Sequence, residues 1–195
     1  MNRAPRLARP RLTLGAGLVL ILLPSCETRP GRQADSPATG PAAQYPLSTF
    51  AANRVAVDIA LEVDSAGGRW LRAEFTPTRP HLHLYSIDLP KAGLNGIGHP
   101  TLLEVVPSPS VRPIGALRAD RLPIPLVVPA LGLTFPVYPD GPVTLRLPVQ
   151  VADTPASTVL SVTYTACSDR TCFPPVIDRH IAVNLPATGS RSAAR

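Results

Sequence analysis

The sequence predicts an all-β protein, an immunoglobulin-like antiparallel β-sandwich, and three observations carry that prediction. Val55, Val57, Ile59, Leu61 and Val63 alternate with Ala56, Asp58, Ala60 and Glu62, a period of two that sets one row inside and the other outside. Further short strand-like runs follow at similar spacing, divided by turn-forming segments, the pattern of a sandwich. The 25 prolines among 195 residues leave no sustained helical period, because proline interrupts a helix interior. With 45% apolar residues, the chain can fill one domain core.

At the N-terminus, Arg3, Arg6, Arg9 and Arg11 precede an uncharged run from Leu12 to Leu23. That run is far shorter than the ~20 apolar residues of a membrane span and has the layout of a secretory signal. It ends in "LLPSC", which resembles a bacterial lipobox. The expectation is a lipoprotein-type signal peptide over residues 1–25, with Cys26 acylated and the protein lipid-anchored to a bacterial membrane in the periplasm. That compartment is oxidising, and with Cys26 used as the anchor, Cys167 and Cys172 are left as a pair. Four of the 19 basic residues and none of the 13 acidic ones lie in residues 1–25, so 15 against 13 remain and the formal charge falls from +6 to +2. No basic patch interleaved with aromatics is left, which argues against nucleic acid as a partner.

Residues 26–44 are rich in Pro, Gly, Ala and polar residues without hydrophobic period and read as a flexible linker; residues 187–195 read as a disordered tail. The folded domain is then 45–186. Besides Val55–Val63, strands are predicted at Arg69–Thr76, His81–Leu89, Thr101–Val106, Ile124–Val128, Val143–Gln150, Thr158–Ala166 and Val176–Asn184, with turns at "SAGG", "TPTRP", "PSPS" and "YPDGP". Tyr164, in the apolar row of its strand, and Trp70, the single tryptophan, are expected to pack.

The segment "TACSDRTCFPP", Thr165 to Pro175, admits three readings: a structural staple, half of a metal site, or a redox centre. If Thr158–Ala166 and Val176–Asn184 pair as a hairpin, the two cysteines have Cα atoms ~4.5–5.5 Å apart, close enough to bond. Cys167 is in step with Ser161, Thr163 and Thr165 rather than with the apolar row of Leu160, Val162 and Tyr164, so it is expected toward the surface. A bridge closing about six residues stabilises by roughly 2 kcal/mol, at the low end for disulfides, whereas an accessible turn favours thiol exchange. A zinc site needs four ligands, and His81, His83, His99 and His180 are the other candidates; neither a metal nor an organic cofactor is expected. Pro174 and Pro175 end strand pairing and stiffen the chain after Cys172. Asp169 and Arg170 pull the thiol pKa in opposite directions. A non-catalytic immunoglobulin-like binding module with a structural disulfide remains the alternative to a redox pair.

"VTYTACSDRTCFPPV" resembles the C-terminal hairpin of the N-terminal periplasmic domain of the thiol:disulfide interchange protein DsbD family. "HLHLYSIDLP" and "FPVYPDGPVTLRLPV" resemble other segments of the same domain, so the likeness spans about Tyr45 to Pro186. It implies a sandwich whose cysteines carry reducing equivalents as a thiol:disulfide oxidoreductase. The implied partners are thioredoxin-like periplasmic proteins, including disulfide isomerases and cytochrome c biogenesis factors, and a membrane electron-transfer protein. Cys172 matches the cysteine attacked to form mixed disulfides and Cys167 the resolving one; His83 and Tyr85 match strand positions beside the active site. The chain departs from the pattern in its C-x4-C loop, one residue shorter than in the best-known member. It also lacks an acid before Asp140 in "VVPALGLTFPVYPD", leaving Leu133 or Phe135 as an apolar lid. No multi-helix membrane domain or thioredoxin-like domain follows, so the expected role is one station in a relay.

Overall fold

The structure, a computed structural model, describes residues 43–152 and 155–186. The expected signal peptide, Cys26, nearly all of the expected linker and the expected tail lie outside the described residues. Among the described residues thirteen strands follow in chain order: β1 (Ala43–Ala52), β2 (Val55–Val63), β3 (Arg69–Pro77), β4 (His83–Tyr85), β5 (Leu102–Val105), β6 (Val111–Pro113), β7 (Arg118–Ala119), β8 (Ile124–Val128), β9 (Leu133–Tyr138), β10 (Val143–Val151), β11 (Ala156–Tyr164), β12 (Ala166–Cys167) and β13 (Val176–Leu185). Every ladder between them is antiparallel. The fold is the predicted all-β immunoglobulin-like sandwich.

One sheet runs β1-β2-β3-β10-β6, with β7 also on β10; the second runs β13-β11-β5. Their facing rows make the main core. Val55, Val57, Ile59 and Leu61 of β2, Leu71 and Phe75 of β3, and Val143 and Leu145 of β10 meet Leu103 of β5 and Leu160, Val162 and Tyr164 of β11. All are at most 2% exposed, and each such side chain stabilises by roughly 1.5–3 kcal/mol through removal of its apolar surface from water. Tyr164 joins the two layers: its ring meets Phe75 edge-on at 5.6 Å and its hydroxyl donates to the Ala52 carbonyl at 2.9 Å. Burial pushes its phenol up to about 12, so it remains a neutral donor.

A third sheet, β12-β4-β9-β8, positions the cysteines. Leu84, Tyr138 and Ala166 face the main core. On the opposite face Tyr85, Phe135, Val137 and Cys167 form a second apolar cluster with Leu89, flanked by Leu94, Leu126, Val128 and Leu133. The alternation of a strand is thus used twice, with both faces covered.

Several boundaries differ from the sequence-based expectation. The linker was expected to reach residue 44, but β1 begins at Ala43 and pairs with β2 through a register shift between Pro46 and Ser48. The run expected at His81–Leu89 is a strand only over His83–Tyr85. Beyond it Ser86 Oγ donates to Asp88 at 2.8 Å and accepts from the Asp88 N–H at 3.1 Å, a local arrangement that competes with the ladder. The strand expected at Thr158–Ala166 divides at Thr165, β11 staying in the second sheet and β12 crossing to the third. Trp70, expected to pack, is half-buried on the outer face of the large sheet, where it lines a groove of about 430 Å³ with Glu62, Arg118 and Arg146.

Candidate functional site

Cys167 closes β12 and Cys172 lies across a four-residue turn. Ser168 builds the turn: its N–H donates to the Thr171 carbonyl at 2.8 Å, and its hydroxyl accepts from the Thr171 N–H at 3.2 Å. The Phe173 N–H donates to the Ala166 carbonyl at 2.9 Å. These two backbone bonds flank the Cys167–Cys172 bridge, making it a close, non-hydrogen-bonded antiparallel pair. The sulfurs are bonded at 2.03 Å, with Cα atoms 4.0 Å apart, nearer than the hairpin argument expected. Pro174 and Pro175 then interrupt the ladder before β13 resumes it at Tyr164↔Val176.

The two cysteines differ in environment. Cys172 is exposed, but Cys167 is only 1% exposed, which corrects the expectation that it lies toward the surface. Parity did turn its side chain away from the main core; the second cluster covers it there. Ser161, Thr163 and Thr165, the polar residues in step with it, are buried too. The Thr163 hydroxyl accepts the Asp178 N–H at 3.0 Å, the Thr165 hydroxyl accepts the His99 N–H at 3.2 Å, and the Ser161 hydroxyl donates to Asp178 at 3.1 Å. Satisfied hydroxyls can be buried at little cost, so a polar row is not necessarily a wet one.

Around Cys167 the structure brings together three of the residues singled out from the sequence. The Tyr85 hydroxyl lies 3.5 Å from Cys167 Sγ, and burial pushes its pKa up, so it stays an O–H group. Phe135 meets the Tyr85 ring edge-on at 5.3 Å and the His83 ring meets it edge-on at 5.8 Å. His83 is also the direct cross-strand partner of Cys167. Phe135 sits within the β8–β9 ladder opposite Leu126, a fixed wall of the cluster, and Leu133 packs against the same cluster from the end of the hairpin. Pro174 and Pro175 are exposed beyond Cys172; the Pro174 carbonyl accepts Asn53 Nδ2–H at 2.7 Å, while the Arg54 guanidinium stands 5.8 Å from the Phe173 ring.

Sequence reasoning missed what holds Tyr85. The chain from Ser86 to Thr101 doubles back over it through a bridge between Leu94 and Ile97. Thr101 donates to the Tyr85 carbonyl from its hydroxyl at 2.7 Å and its N–H at 3.1 Å. Gly98, at φ +70°, lies against the ring: a Cβ there would fall 2.7 Å from it. The signal was present as three glycines within "KAGLNGIGHP".

Of the other histidines, His81 Nδ1 is 3.5 Å from Asp140 and His99 Nδ1 is 2.9 Å from the Lys91 carbonyl oxygen. Among the described residues no group of three or more His, Cys, Asp or Glu side chains stands together in a way that would hold a metal ion. No family model, curated protein or solved structure matches the chain. The functional reading therefore rests on this geometry and on the resemblance carried by the cysteine hairpin.

Proposed function

We propose that this protein is a thiol–disulfide exchange relay that works through Cys167 and Cys172. The observation that carries the reading is the asymmetry of the bond: one half exposed at the end of a turn, the other sealed beside a tyrosine hydroxyl. Exchange needs a thiolate in line with the bond, opposite the leaving sulfur. An exposed Cys172 admits that approach and a buried Cys167 refuses it, so a partner thiolate attacks Cys172 Sγ. The Cys167–Cys172 bond breaks, a bond forms between Cys172 and the partner, and Cys167 leaves with the electron pair and takes up a proton. The partner's second thiolate then attacks its own sulfur in the mixed disulfide and releases Cys172. The partner dithiol is oxidised to a disulfide while this pair is reduced by two electrons; the reverse sequence passes them onward.

The reactants this implies are dithiol proteins of thioredoxin-like type on one side and an electron-transfer protein of the membrane on the other. The arginine-rich signal layout and Cys26 support a periplasmic location with a lipid anchor. Trapping tests the reading. With Cys167→Ala, a thioredoxin-like dithiol protein whose resolving cysteine is replaced and whose attacking cysteine carries thionitrobenzoate is expected to be attacked by Cys172, releasing thionitrobenzoate and accumulating as a mixed disulfide on Cys172, and Cys172→Ala is expected to yield little adduct. If the wild-type disulfide in the folded protein resists such a dithiol, the bond is a hairpin staple and the relay reading fails.

A further inference from the structure

His83 is a buried polar residue whose ring packs edge-on against Tyr85 but whose Nε2 no structural contact uses. It is 8% exposed, and its Nε2 is fully enclosed without a hydrogen-bond partner. A buried nitrogen left unpaired is costly, so it warrants an explanation beyond packing. Its position supplies one. His83 stands opposite Cys167 on the adjacent strand, and such pairs project from the same face with Cβ atoms about 4.5–5.5 Å apart.

We propose that His83 is the proton carrier for Cys167: when the disulfide opens, its idle Nε2 takes the Cys167 sulfur as partner and moves a proton between that sulfur and solvent. This inference deepens the relay reading and rests on it. The chemistry requires such a group, since a thiolate released at a site 1% exposed has lost its water and is strongly disfavoured. Tyr85 can hydrogen-bond to it, but its raised pKa makes it a poor proton donor. An imidazolium can transfer the proton from Nε2, leaving Cys167 as S–H and itself as neutral imidazole, and the ring regains a proton from solvent when the cluster opens locally. In the reverse direction the neutral ring accepts the thiol proton as the sulfur attacks.

The surroundings disfavour the charged ring while the bond is closed. Burial lowers its pKa below 6.5, opposed by the charges of Asp169 in the cysteine turn and Asp140 after β9. The other groups beside it are Tyr85 along β4 and Cys167 on β12, while Asp140 is shared with His81. Because the folded pKa is lowered, the imidazolium is less populated at a given pH than in an open histidine, and its assistance grows as pH falls.

The test is reduction of the oxidised full chain by dithiothreitol from pH 5 to pH 9, with rate constants expressed per reductant thiolate. The wild type is expected to speed up toward low pH. His83→Gln should be flat with pH and roughly tenfold slower at pH 5.5, the low side of general-acid effects because a thiolate is already a fair leaving group. Equal profiles, or a uniform offset across the whole pH range, overturn the proposal. The His83 ring, followed by NMR in wild-type protein, reads the same proton without a substitution: its titration should differ between the oxidised and reduced states, and coincident titrations overturn the proposal. A parallel arm with a thioredoxin as reductant separates the two readings. No exchange there, alongside a His83-dependent dithiothreitol profile, overturns the relay and leaves the proton carrier standing.

Discussion

Cys167 keeps 1% of its surface and Cys172 is exposed, so the two thiols should differ sharply once each is freed of the other. In Cys167→Ala, Cys172 is expected to react with iodoacetamide at the rate of an open thiol. In Cys172→Ala, Cys167 can react only when the second cluster opens locally, and if that opening costs about 3 kcal/mol the rate falls at least about 100-fold. Mass spectrometry of timed aliquots reads both rates. Comparable rates would mean that Cys167 is not sealed in solution, and the direction assigned to the exchange would lose its basis.

The segment Ser86–Thr101 holds the Tyr85 ring where its hydroxyl meets the Cys167 sulfur, and Gly98 lies against that ring. Gly98→Ala would place a methyl group 2.7 Å from the ring at a φ of +70°, combining backbone strain with overpacking. Gly96→Ala is the matched control, since Gly96 has φ +77° and nothing within 4 Å of an added Cβ. Urea unfolding is expected to show about 1 kcal/mol of destabilisation for Gly96→Ala and about 1–3 kcal/mol more for Gly98→Ala. If the two variants match, the Tyr85 contact is loose. The same segment marks how far the sequence could be read. The alternation of β2 and the pairing of β11 with β13 were legible because period-two patterns and turn residues are local signals. The strand expected to run on to Leu89 was not, because the Ser86–Asp88 pair competes with the ladder by hydrogen bonds that apolar periodicity does not register. Nor was the division of β11 from β12 at Thr165. Parity gave the face of Cys167 correctly, yet what covers that face comes from β8, β9 and a glycine-rich loop far away in sequence.

At the scale of the molecule, the proposed relay requires a protein that remains folded with its bond both closed and open, and the separation of the bond from the main core predicts this. The main core joins the first and second sheets through Leu61, Phe75, Leu145, Leu160 and Tyr164. Cys167 belongs to the second cluster, and its bond spans a sequence separation of five residues. The hairpin closed by that bond is already held by the β11–β13 ladder, the Phe173–Ala166 backbone bond and the Ser168 turn. Opening it should therefore remove only the loop-closure contribution, roughly 2 kcal/mol. For a domain of this size that corresponds to a fall in Tm of roughly 4–8 °C. Calorimetry of oxidised and fully reduced protein is expected to show one cooperative transition in each, separated by about that interval. A reduced protein that unfolds without cooperativity, or tens of degrees lower, would show the bond to be a staple that the fold requires. The same result would remove the ground for a relay, because a carrier that unfolds on reduction cannot present Cys172 to the next partner.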